Sequence, residues 1–301
     1  MVDSPYLAPG GRPARIERFN CDLARWQVIL KWFVITRFAP APTGYLHLGH
    51  VVNALQVWTA AHGRDGRVLL RIEDHDRQRS RPDYEAAILE DLDWLGFSHD
   101  GPLVRQSERD AVYRTALQPL IARELVYGCT CTRAELAAGS GVRDPGAELR
   151  YRNTCRDRDI ALTDDVGWRL RMEPGTESFF DEICGPQVQD PSAQCGDLLI
   201  RDRLGNWTYQ FAVTVDDHLQ KITDVIRGID LLPSTGRQIR LAGWLGRTAM
   251  PRFAHHGLVM KSATDKLSKS DGDTGVRELR AAGWSAEAVL DLARKSVTLP
   301  L

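Results

Sequence analysis

The chain has no apolar run long enough to cross a bilayer, which excludes a helical membrane protein. Its first residues mix Pro, Gly, Arg and Asp and lack the apolar core of a signal peptide, so a cytoplasmic protein is expected. Excess charge is missing too: 39 Lys and Arg against 40 Asp and Glu leave a formal net charge of −1. That argues against a broad basic surface gripping nucleic acid along its length, though not against a local patch. Six cysteines in 301 residues of such a chain do not suggest a disulfide framework, so metal binding or plain burial is expected. The rest is ordinary globular composition, 43% hydrophobic and 26% charged, with room for one large domain or two smaller ones.

Residues 33–50 read FVITRFAPAPTGYLHLGH. The aromatic and β-branched start suits a buried strand, and Pro40, Pro42, Thr43 and Gly44 break it. Leu46, Val51, Leu55 and Trp58 then fall near a helical period, so a helix should start at about His47 or Leu48. A strand, a glycine turn and a helix N-terminus together favour an anion such as phosphate, and His47 and His50 would face it from one side. Taken alone, His-x-x-His is more often a surface pair. A second strand over 68–74 ends in acids, placing Glu73 where ligands meet strand ends, while Asp74 and Asp76 also suit caps for the next helix.

Further along, proline at 82 and Gly96 frame a helix over 82–95, and residues 108–125 make another. Alternation at Trp168, Leu170 and Met172 signals a strand, and residues 196–202 should lead back to the main sheet. Tyr209 should begin a helix and Arg227 should end a strand over 223–228. Residues 234–246 read as a helix with Ser234 as N-cap, residues 253–260 as a last strand, and the remainder after Ser270 as short helices. Arg37 and Arg227 could each bind a carboxylate bidentately, with Tyr209 adding a hydroxyl, although an arginine at a strand end is most often a surface ion pair. Cys129-Thr130-Cys131 and Tyr151-x-x-x-Cys155 form two close pairs, but on spacing alone three incidental cysteines outweigh a zinc site. Lys266-Leu-Ser-Lys269-Ser would by itself be a solvated loop.

The eleven residues P-A-P-T-G-Y-L-H-L-G-H resemble the ATP signature of class I aminoacyl-tRNA synthetases, in the form of the glutamyl and glutaminyl branch. R-I-E-D-x-D-R at 71–77 and K-L-S-K-S at 266–270 are similar to further motifs of that branch. The Cys-x-Cys…Tyr-x-x-x-Cys pattern resembles the zinc site of its short members, the glutamyl-Q tRNA-Asp synthetases. The resemblance implies an α/β fold: a Rossmann-like catalytic domain over 33–128 and 196–270, a zinc-binding insertion over 129–195, a helical tail over 271–301 and an N-terminal extension over 1–32. It implies that His47, Gly49, His50 and Lys269 serve ATP, with His47, His50, Lys266 and Lys269 as the catalytic set. Arg37, Phe38, Ala39, Pro40, Ala41, Glu73, Tyr209 and Arg227 would hold L-glutamate, the glutamate of Glu73 meeting the α-amino group. Mg2+ is expected with ATP, and Zn2+ on Cys129, Cys131, Tyr151 and Cys155.

The implied reaction activates glutamate with ATP and attaches it to queuosine in the tRNA-Asp anticodon stem-loop, by a monomer without a membrane partner. The full-length relatives continue into an anticodon-binding region that this sequence does not show. Charging of a tRNA 3′ end by a truncated glutamyl-tRNA synthetase is the alternative. A non-catalytic synthetase-like binding module is another, against which the intact histidines, lysines and glutamate-pocket residues argue.

Overall fold

A computed structural model describes residues 33–138, 149–259 and 275–296. The N-terminal extension, most of the loop between the cysteine pairs, and Lys266 and Lys269 lie outside those residues. Strand β1 (Ile35–Phe38) runs into helix α1 (Leu48–His62), followed by β2 (Arg67–Ile72), α2 (Pro82–Trp94), β3 (Val104–Arg105) and α3 (Asp110–Ala122). Next come β4 (Val126–Cys129), α4 (Arg133–Ala138), β5 (Gly167–Leu170), β6 (Glu177–Asp181), β7 (Gly185–Gln189), α5 (Pro191–Cys195) and β8 (Leu198–Arg201). The chain continues through α6 (Tyr209–Leu219), β9 (Asp224–Gly228), α7 (Thr235–Trp244), β10 (Arg252–His256), α8 (Val276–Ala281) and α9 (Ala286–Lys295).

β1 pairs in parallel with β2, and β2 with β3. On the other side β9, β10 and β6 are parallel neighbours, with β7 closing antiparallel to β6. β9 lies beside β1: the Thr223 N–H donates to Ile35 O at 2.8 Å, and Thr223 Oγ1 accepts from the Ile35 N–H at 2.8 Å. Strand order therefore runs β3-β2-β1-β9-β10-β6-β7 and reverses at β1. A reversal of this kind leaves a crevice at the carboxyl ends of the strands, where doubly wound folds bind ligands.

Apolar residues of α1 (Val51, Val52, Val57, Ala61) pack on Val34, Phe38, Val68 and Leu70 of the sheet. Val289 and Ala293 of α9, both fully buried, join the same core, so the tail is a layer over α1. A second core gathers Tyr113, Leu117, Trp168, Leu170, Ile200, Trp207, Phe211 and Leu241. Helix α6 carries Phe211 and Val215 into that core, while its Asp217 reaches the first sheet. Among the described residues no helix is long and apolar enough to cross a membrane.

Local details depart from the sequence expectations. Residues 198–201 do not return to the main sheet; β8 pairs antiparallel with β5, which pairs with β4, making a separate three-stranded sheet. Conversely, β6 reaches the main sheet through the pair Phe253↔Asp181. Ser234 occupies the N-cap of α7 but makes no side-chain cap bond; its Oγ accepts from Gln210 Nε2 at 2.9 Å. Asp74 does not cap α2 either, because it holds the backbone N–H and the hydroxyl of Ser107. Asp76 accepts from the Gln78 N–H within its own turn.

Candidate active site

A cleft of about 470 Å3 opens at the reversal point, lined by Arg37, Ala39, His47, Gly49, His50, Glu73, Tyr209 and Arg227 among others. Of the glutamate-binding residues implied by resemblance, Phe38, Pro40 and Ala41 are not in its wall. The Phe38 ring points into the core against Trp58, centroid to centroid 5.6 Å, and the Pro40 carbonyl accepts from the Glu73 N–H at 3.0 Å.

One end of the cleft is the start of α1. His47 Nδ1 accepts from the Gly49 N–H at 3.1 Å, and His50 Nδ1 accepts from the His47 N–H at 3.1 Å. Two imidazoles thus form a capping box, a task usually given to hydroxyl and carboxylate side chains. Because both Nδ1 atoms accept, each neutral ring carries its proton on Nε2. Gly49 is required by this geometry: a Cβ there would stand 2.9 Å from His47 Cε1.

At the other end the strand ends deliver charge. Arg37, next to last in β1, donates from Nε to Asp217 at 3.1 Å. Arg71, wholly buried, donates to Asp217 at 2.9 Å, to Gln220 at 2.7 Å and to Glu73 at 3.4 Å. Burial raises the carboxyl pKa of Glu73, against the pull of Arg71, His75 and Arg37. Burial would also raise Asp217, but Arg37 and Arg71 outweigh it and hold that carboxyl low. Behind them, Asp216 accepts from Arg109 at 2.7 Å, Gln106 at 2.9 Å and the Tyr113 hydroxyl at 2.8 Å.

Arg227, at the end of β9, is different. Only 4% exposed, it has no carboxylate within ion-pair distance among the described residues. Its partners are neutral: His255 Nε2 at 2.9 Å, Gln238 at 2.7 Å, Thr235 at 2.9 Å and the Tyr209 hydroxyl at 3.4 Å. Burial lowers its pKa. A buried guanidinium without an anion is costly, and a carboxylate brought by a ligand removes that cost.

In the second sheet, Cys129 ends β4, and the sulfurs of Cys129, Cys131 and Cys155 lie within 4.8 Å of one another. The Tyr151 hydroxyl stands 3.4 Å from Cys129 Sγ and 3.9 Å from Cys131 Sγ, and the Cys131 and Cys155 sulfurs are 3.5 Å apart. A tetrahedral zinc with Zn–S bonds of about 2.3 Å needs ligand–ligand edges of roughly 3.8 Å, so the donor set fits. Burial would raise the Cys155 thiol, but bonds from the Thr130 backbone, Tyr151 and the neighbouring thiols bring it down to about 7, whereas burial pushes Cys131 up to about 12. Cys184 and Cys195 lie outside the cluster.

Several residues of the cleft carry no motif. Asn53 and His256 line it, Asp217 braces Arg37, and Asp181 and His255 stand behind Arg227. The histidine pair at the end of β10 was the available signal.

Residues 33–297 match the catalytic domain of the class I tRNA synthetases for glutamate and glutamine. The chain is 45% identical to the glutamyl-Q tRNA(Asp) synthetase of Bordetella bronchiseptica over 79% of its own length and 75% of that protein's. It is 39% identical to the protein of that name in Rhodobacter capsulatus, over 84% of its length and 96% of the relative's. Among solved structures, the glutamate-tRNA synthetase of Elizabethkingia anophelis superposes with a TM-score of 0.73 at 29% identity, covering 87% of this chain. The match spans 61% of that longer chain. The chain belongs to the class I glutamyl and glutaminyl tRNA synthetase family, and within it to the glutamyl-Q tRNA(Asp) synthetases.

Proposed function

We propose that the chain activates L-glutamate with ATP and transfers it to the cyclopentenediol of queuosine in the anticodon of tRNA-Asp. The observation that carries the activation step is the two-ended cleft: paired histidines on a helix N-terminus at one end, and at the other a buried Arg227 with no ion-paired carboxylate among the described residues, lining the same wall as Glu73. Glutamate suits the second end. Its ammonium meets Glu73 and returns that raised carboxyl to the ionised state, while Arg227 and Arg37 receive carboxylates. The triphosphate suits the first end, where the Nε2–H groups of His47 and His50 and the amides of α1 can donate. Lys266 and Lys269 would add positive charge to the phosphates, and Mg2+ would come with the nucleotide.

No side chain need act as nucleophile. A carboxylate oxygen of glutamate attacks the α-phosphorus in line and pyrophosphate departs; a queuosine hydroxyl then attacks the acyl carbon and AMP departs. Catalysis is positioning and charge stabilisation. The acceptor rests on the names of the relatives, and the anticodon stem-loop is the part of the tRNA that must reach the cleft. Such an enzyme works in the cytoplasm, where its tRNA and ATP are. Cys129, Cys131, Tyr151 and Cys155 would hold one Zn2+, a structural ion because four protein ligands leave no open position.

The test is ATP–pyrophosphate exchange without tRNA. Exchange is expected with glutamate and only weakly with glutamine, whose neutral amide cannot answer Arg227. No exchange with glutamate under any condition overturns the reading.

A further inference from the structure

The buried Arg227 guanidinium has to be aimed, and one of its restraints is backed by a residue from a distant part of the chain. Arg227 Nε donates to His255 Nε2 at 2.9 Å, which makes Nε2 an acceptor and leaves the ring proton on Nδ1. Nδ1 then donates to Asp181 Oδ2 at 2.6 Å. Asp181 is fully buried and is itself fixed by the backbone N–H groups of Ile183 at 3.0 Å, Cys184 at 2.8 Å and His255 at 3.3 Å. Thr235 Oγ1 and Gln238 Oε1 take two more guanidinium protons from the α7 side.

Asp181 ends β6, the strand that reaches the main sheet through the single pair Phe253↔Asp181. That pair sets Asp181 beside His255, two residues further along β10. The opposite tautomer would set an N–H against the Nε–H of Arg227 and break the bond. A carboxylate behind Nδ1 prevents it, as an orienting acid does behind a catalytic histidine.

We propose that Asp181 and His255 are positioning residues for glutamate recognition: they lock the orientation of Arg227, so that the end of β6 controls affinity for the amino acid without touching it. This rests on the proposed function, in that the carboxylate received by Arg227 is that of glutamate.

The test separates substrate affinities in ATP–pyrophosphate exchange. His255→Leu is expected to raise the KM for glutamate about tenfold or more while the KM for ATP stays within about twofold. His255→Gln, whose amide oxygen can still accept from Nε, is expected to recover most of the loss. Asp181→Asn, which permits the wrong tautomer, should fall between. Nitrogen-15 NMR of the unaltered protein should find His255 protonated on Nδ1 only, a readout independent of whether a variant folds. An unchanged glutamate KM in His255→Leu, a parallel rise in the ATP KM, or a proton on Nε2 overturns the relay alone. Absence of glutamate-dependent exchange in the unaltered protein overturns the proposed function together with it.

Discussion

His255 is held neutral because burial and the adjacent Arg227 bring its pKa from 6.5 to about 4, despite the opposing pull of Asp181. In the unfolded chain the same imidazole protonates near 6.5. Between those values the unfolded state binds a proton that the native state refuses, so stability present above pH 6.5 is lost as pH falls towards 4. The loss reaches about 2 kcal/mol at pH 5. Asp181 contributes only at lower pH: His255 and three backbone N–H groups outweigh burial and hold its carboxyl low, so its stabilisation is present above the usual carboxylate range near 3.8 and is lost below it. Urea denaturation at pH 7 and pH 5 measures the effect. His255→Gln should remove the histidine's share of the pH dependence; equal slopes in both proteins would contradict the assignment. Glu73 gives a second expectation. Glu73→Gln replaces a charged partner for ammonium with a neutral one, and the glutamate KM should rise by roughly 30-fold, about 2 kcal/mol, with the ATP KM unchanged.

At the scale of elements, the start of α1 depends on one glycine. Alanine at 49 would press its methyl on His47 Cε1 and force the ring out of the capping box. Gly49→Ala should therefore weaken ATP about tenfold and destabilise the protein by about 1 kcal/mol, the usual worth of a cap. Exchange kinetics and thermal unfolding read the two effects. This element was legible in the sequence because strand, turn, cap and histidines are contiguous. So was α2, framed by Pro82 at its start and by Gly96, with φ of +80°, just beyond its end. Arg37, Glu73 and Arg227, each expected near a strand end, all line one cleft. What could not be read was pairing between distant segments. β6 and β8 look alike as short strands, yet one joins the main sheet and the other a separate one, and only long-range registry decides which. The Asp181–His255 contact spans 74 positions and Arg37–Asp217 spans 180, so neither leaves a local pattern.

For the molecule as a whole, one mostly parallel sheet builds the cleft and a separate antiparallel sheet, β4-β5-β8, carries the cysteine cluster at the end of β4. Arg169 of β5 ties the cluster to its sheet, lying 3.5 Å over the Tyr151 ring and donating to Cys129 Sγ at 3.3 Å. Metal analysis should find one zinc per chain. Cys155→Ser should lose it and lower the melting temperature, while Tyr151→Phe should weaken binding without abolishing it. Freshly purified protein without zinc would reject the site. The acceptor is the central claim, and one measurement addresses it most directly: transfer of labelled glutamate to an isolated tRNA-Asp anticodon stem-loop, with and without queuosine, beside tRNA-Glu. Glutamate is expected on the queuosine stem-loop and on neither of the others. Glutamate on the 3′-terminal adenosine of tRNA-Glu, with the queuosine stem-loop left uncharged, would contradict it.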